Sequence, residues 1–449
     1  MRSFYFSTRA AGESELFQPG HGLTYRQGLP QENMVESLGC LRSSKGHPRS
    51  CPDAVLTSGL RKVELSMRPR AIFDGSKLLA IMALAFCVVA ARSANASAGA
   101  SQNATATHHA FVVTGAMVIP RQAHTATRLA NGMVLITGGI NGAGRTIANA
   151  ELFNPVTRRF IATGSMNVAR VFHTATLLVS GQVLVAGGEG TTDAALTSAE
   201  LYNPLNGKFS LTGSLTFKRL AHSATLLSNG TVLLAGGADG KFHSLPFAEL
   251  FNPATGRFTS TSNLNAARLF HTATTLENGQ VLLAGGNNSV AALASAERFT
   301  SLKKFVLTGS MTTPRTFHSA SLLNSGGLAG QVLMAGGFRT GPLASAEIFS
   351  PLTNAFKATG SMNHARLVHT ATRLNDGEVL IAGGEDNQNG HPLAPAELFN
   401  PETRKFTVVT NLHFPRLFHT ATLLPSGMVL IAGGTNNATV IPEAELFVP

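Results

Sequence analysis

The sequence predicts an all-β protein built as a radial or stacked array of seven like units. Three observations carry this. The motif R-x-x-H, followed by Thr or Ser, Ala, and Thr or Ser, recurs with its histidine at His124, His173, His222, His271, His318, His369 and His419. A glycine pair closes a short apolar run at Gly138, Gly187, Gly236, Gly285, Gly336, Gly383 and Gly433, at spacings of 49, 49, 49, 51, 47 and 50 residues. Each period holds four short apolar runs and no helix signal, so the units cannot bury their faces singly and must stack on one another.

The second unit shows the reason for each boundary. The run from His173 to Leu178 is rich in Thr and apolar residues and ends at Ser180-Gly181; other units place Asn131-Gly132, Asn229-Gly230, Asn278-Gly279 or Asp376-Gly377 there. Such pairs tolerate the positive φ of a tight hairpin, so the run pairs antiparallel with the V-L-V-A that follows. The pair Gly187-Gly188 then either takes backbone angles closed to other residues or lets a neighbouring backbone approach. A loop of changing length leads to a third strand, A-E-L-Y in this unit, which stops at Asn-Pro because proline cannot donate to a ladder. A fourth strand begins at Phe160, Phe209, Phe258, Phe305, Phe356 and Phe406 in successive units.

This pattern resembles the kelch repeat: an apolar run, a Gly-Gly pair, a spaced aromatic and a later aromatic in the fourth strand. The resemblance covers roughly residues 109–449 and implies a β-propeller with one four-stranded blade per repeat. One departure stands out. The family usually carries Trp in the fourth strand, and this chain has none; Phe stands there in all seven units and fills the same space with less area. Residues 108–117 read as a fourth strand without the first three, and residues 444–449 as a third strand without a fourth. The two fragments complete one blade, so a closed ring of seven is expected.

A length of 449 residues would allow about three domains, but the repeat overrides that prior. Residues 1–66 match no unit and read as a disordered or untranslated extension, with Met1, Met34 and Met67 all open as starts. Residues 67–98 have the parts of a secretory signal peptide: Arg68, Arg70 and Lys77, the apolar run Leu78–Ala91, and small residues at Ala94, Ala96 and Ala98. The run of 14 is short for a bilayer span, which needs about 20 residues. Residues 99–108 read as a tether. Export would place the protein outside the cell, in a periplasm or at the cell surface, with no transmembrane segment in the mature chain. Cys40, Cys51 and Cys87 all precede the expected cleavage site, so no disulfide staples the mature part. The formal charge is +11; the first 98 residues hold 12 basic and 7 acidic side chains of the 35 and 24, which leaves 23 and 17, or +6. The repeated arginines spread that charge around a ring, a poor footprint for nucleic acid.

Candidate chemistry divides into what repeats and what varies. Ring histidines such as His173 stay too far apart to ligate one metal ion, so each is expected to satisfy loop or backbone groups beside its strand. The sevenfold Glu (Glu200 in the second unit) lies on a covered strand and needs a partner, for which the sevenfold Arg (Arg170) is the economical choice. Arg170, His173, Gly187, Gly188 and Glu200 are therefore read as scaffold. Function is expected in the variable loops after the glycine pairs, which carry Asp239, Lys241, His243, Arg339, Glu385, Asp386, Asn387 and His391. Relatives implied by the resemblance include copper radical oxidases with a Tyr–Cys crosslink; the mature part has no Cys, and its single tyrosine, Tyr202, occupies a repeat position. The expectation is a monomeric binding module for a protein or glycan ligand, without cofactor or metal. The alternative is a carbohydrate-modifying enzyme, similar to sialic acid mutarotases, that uses the same face.

Overall fold

The computed structural model describes residues 109–386 and 391–449. The expected extension, signal peptide and tether, with the three cysteines, lie outside the described residues, as does Asn387. The short apolar runs form seven four-stranded antiparallel sheets. In blade two the strands are Thr174–Leu177, Val183–Ala186, Ala199–Asn203 and Lys208–Leu211, paired in chain order. The first strand of each blade touches that of the next, and blade seven touches blade one, which closes the ring with first strands innermost. Second strands such as Val183–Ala186 are buried at every position because neighbouring blades cover both faces.

Closure uses the two fragments the sequence left incomplete. Ala110–Ala116 pairs with Glu443–Val448, with Phe111 opposite Phe447. The blade-to-blade interfaces hold the core. Phe153 and Phe160 of blade one pack with Leu424, Leu430 and Leu446 of blade seven. Tyr202 of blade two packs with Leu135 and Ala150 of blade one, with Phe209 against them. In each blade the fourth-strand Phe lies against the aromatic of the third strand, with ring centroids 4.8–5.3 Å apart.

The first hairpins use positive φ more sparingly than the sequence suggested. At Asn131-Gly132 only the glycine is left-handed, at φ 83°. Gly132 donates its amide to Leu129, and Leu129 pairs with Met133, so the loop is a three-residue turn rather than a two-residue one. The Asn131 side chain accepts the Met133 amide at 3.1 Å instead. At the glycine pairs both proposed reasons hold. Gly187 and Gly188 have φ of 61° and 95°, and a Cβ on Gly187 would stand 2.6 Å from the Arg219 carbonyl oxygen of the next blade's link. No helix among the described residues is long and apolar enough to cross a membrane.

Candidate functional site

Strand alternation brings the loops after the glycine pairs to the same face as the links between blades. There they pair: Val171 with Glu189, Leu220 with Ala238, Leu269 with Asn287, Thr316 with Phe338 and Leu367 with Glu385. The repeated charges hold these links. Arg170 donates from Nη2 to Glu200 Oε1 at 2.8 Å, and neither residue is exposed. Arg170 Nη1 also donates to the Gly187 and Ser198 carbonyls at 2.7 and 3.1 Å. Glu200 accepts the Asn167 and Val168 amides at 2.7 and 3.1 Å. The pair thereby clamps the link that enters a blade to that blade's third strand and glycine turn, and an Arg–Glu pair does so in every blade.

The histidines have a partner that the sequence did not indicate, the first strand of the preceding blade: His173 Nε2 lies 3.0 Å from Thr125 Oγ1, and His124 Nε2 lies 3.0 Å from Thr420 Oγ1. Burial, and then the charge of Arg170, hold His173 near a pKa of about 3, so it is neutral. The sevenfold side chain is a blade-to-blade tie. Its partner is set by the curvature of the ring, which a single unit does not display.

The residue before each histidine faces a different demand. Ala123, Phe172, Ala221, Phe270, Phe317, Val368 and Phe418 all have φ of 51–53°, a conformation costing about 1–3 kcal/mol outside glycine. Backbone bonds link neighbours in this collar, from the Ala123 amide to the Phe418 carbonyl at 2.9 Å and from Ala221 to Phe172 at 3.0 Å. Six collar residues and five of the histidines together line an open axial well of about 300 Å³.

A groove of about 330 Å³ runs outward from the well across blades three to five. Phe270 and Phe317 line both depressions, with ring centroids 4.3 Å apart. Phe242 and Phe338 complete the aromatic lining, and Asn287, Ser289, Thr316 and Arg339 are its polar groups. The oxygens of two of these are already engaged. Asn287 Oδ1 accepts the Ser289 amide at 2.6 Å; Ser289 Oγ donates to the Phe242 carbonyl at 3.0 Å and accepts the Ser244 amide at 2.6 Å. Thr316 is 3% exposed, and its hydroxyl has no hydrogen-bond partner among the described residues. Arg339 is exposed, and its guanidinium makes no ion pair among the described residues.

Of the loop residues singled out from sequence, Arg339 lines the groove. Lys241 and His243 are exposed and flank the groove residue Phe242. Asp239 is committed to its own loop, accepting the Lys241 and His243 amides at 2.8 and 3.0 Å. Burial alone would raise its pKa, but these bonds outweigh burial and lower it. Glu385, Asp386 and His391 stand apart on a hairpin of blade six, with Asp386 opposite His391. Glu385 is fully buried without a hydrogen-bond partner for either oxygen among the described residues, and burial, then Asp386, push its pKa up to about 7. Phe270, Thr316 and Phe317 were missed because they sit inside R-x-x-H, read as scaffold. The signal was there: the two x positions vary between units while the Arg and His do not.

No family model matches the chain, and no curated protein matches it. Among solved structures it is similar to a fungal alcohol oxidase of the AA5 family in complex with copper. That match has 16% identity, covers 76% of this chain and 76% of that one, and has a TM-score of 0.59. It is also similar to YjhT, at 14% identity over 65% of this chain and 98% of that one, with a TM-score of 0.52. At such identities the likeness shows the propeller fold. Copper finds no matching donor set: among the described residues no three His, Cys, Asp or Glu gather to hold a metal ion. Tyr202 is fully buried, with its hydroxyl 3.0 Å from Thr163 Oγ1.

Proposed function

We propose that this chain is an exported kelch-type propeller that works as a binding module, with the groove across blades three to five as its ligand site. The observation that supports this most is where the sevenfold pattern breaks. The strands present the same surface seven times, whereas the groove gathers four phenylalanines, the Thr316 hydroxyl and the Arg339 guanidinium from three different blades, the last two without a partner among the described residues. A concave, mostly apolar depression with a few polar groups is the usual form of a ligand site. The sugar-modifying alternative would need an acid or base within reach of a bound sugar. The groove lining contains no Asp, Glu or His, which favours binding over turnover.

The test is binding by the purified chain to a panel of glycans, peptides and small organic acids, together with turnover against the sugars. The expected result is a bound ligand, no turnover, and loss of binding in Phe317→Ala. Turnover of a sugar, or full affinity in Phe317→Ala, would remove this reading.

A further inference from the structure

The groove's polar groups narrow the ligand class, an argument that rests on the binding-module reading above. A sugar offers a hydroxyl on nearly every carbon, and each one stripped of water must find a partner in the site. This groove has little to offer it. The Asn287 and Ser289 oxygens are engaged in holding the loops of blades three and four together. What remains are donors, the Asn287 side-chain NH2, the Thr316 hydroxyl and the Arg339 guanidinium, set beside Phe242, Phe270, Phe317 and Phe338.

Thr316 also breaks the repeat. The position after the motif arginine is Val171, Leu220, Leu269, Leu367 or Leu417 in five other blades, and Gln122 in the sixth. A threonine here carries a hydroxyl into a site 97% covered, with no acceptor or donor for it among the described residues. A buried hydroxyl left unpaired is destabilising, so its presence at the groove suits a ligand atom that completes it. Arg339 supplies a planar cation matched to a carboxylate. The aromatic walls suit a flat apolar ring, and about 330 Å³ accommodates one ring with a short side arm.

We infer that the groove binds a small aromatic carboxylate, with its ring among Phe270, Phe317 and Phe338 and its carboxylate on the Arg339 guanidinium, joined by the Thr316 hydroxyl once that covered side chain turns toward the groove. The ring replaces water against the phenylalanine faces. The carboxylate accepts from both groups and leaves neither donor unused.

The probe is 3-phenylpropionate, titrated calorimetrically into the purified chain beside its neutral amide and beside glucuronate, which keeps the charge but replaces the flat ring with hydroxyls. The carboxylate should bind at least about tenfold more tightly than the amide, as expected for a charge-assisted hydrogen bond. Arg339→Gln should abolish that preference while leaving the melting temperature unchanged, since Arg339 is exposed. Thr316→Val, which keeps the shape, should weaken the carboxylate by roughly 3- to 10-fold. Equal affinity for acid and amide, tighter binding of glucuronate, or an unaltered preference in Arg339→Gln would overturn the inference. If only a glycan or a peptide without an aromatic carboxylate binds, and Phe317→Ala removes it, the ligand class falls while the binding module stands. If no member of any class binds, both fall.

Discussion

At the scale of single residues, the chain places an arginine where solvent cannot reach it in every blade. Arg170 keeps its charge at any ordinary pH, so its burial is tolerable only because Glu200 and two carbonyls surround it. Removing one partner of such a pair strands the other. Glu200→Ala should destabilise by about 3–5 kcal/mol, and it also leaves the Asn167 and Val168 amides without their acceptor. The exposed Lys208→Ala should stay within about 0.5 kcal/mol. Urea midpoints decide between them; equal midpoints would contradict the clamp. Glu385 gives the opposite case, a buried carboxyl without a hydrogen bond. Its pKa of about 7 lies above the ordinary 4.5, so between those values the folded state binds a proton that the unfolded chain does not. The linkage sign is then fixed: stability contributed by this group is full below the lower value and falls as pH rises to about 7. Glu385→Gln should flatten the melting temperature between pH 5 and 8 and raise it at pH 8. An unchanged pH profile would show that the carboxyl is already charged and compensated.

At the scale of elements, the ring depends on joints that repeat and on one that does not. Gly187 needs both its left-handed φ of 61° and the absence of a Cβ, because the Arg219 carbonyl oxygen lies only 2.6 Å from where that Cβ would be. Gly187→Ala should therefore cost about 1–3 kcal/mol from backbone strain, plus the displacement of the next blade's link. Gly207→Ala is the control: its φ is 67°, but only the Thr163 hydroxyl stands near its would-be Cβ, at 2.9 Å. Thermal melts should separate the two, with the larger loss at Gly187. The joint without a repeat is closure by Ala110–Ala116 on Glu443–Val448. A chain beginning at Val118 would expose the edge of that last strand, and open edges pair with other chains. Gel filtration should show aggregates and a lowered melting temperature. A stable monomer would mean that blade seven does not need its fourth strand.

At the scale of the whole molecule, a ligand without sevenfold symmetry has to be recognised by what differs between blades. The collar alternates small and aromatic residues, Ala123, Phe172, Ala221, Phe270 and Phe317, and the groove opens where the aromatics are adjacent. Export remains our proposal for where such a surface would work. Expression with the upstream region in a bacterium should yield a chain outside the cytoplasm that begins near Ser97 or Gly99, and an intact Leu78–Ala91 peptide in the mature protein would overturn it. The sequence by itself determined the blade count, the strand order and the complementary end fragments. All of these follow from local periodicity, and a period is visible in any one unit and its neighbour. It also indicated that Glu200 needs an arginine, because a charge on a covered strand has few alternatives. Only the tertiary structure decided that His173 answers to the previous blade, that Asp239 is spent on its own turn while Arg339 is free, and that Phe242 and Arg339, 97 positions apart, border one groove. The physical reason is that these pairings cross between units. Which side chains meet there depends on the closing angle of the ring and on loop lengths, and neither is written in the pattern of a single repeat.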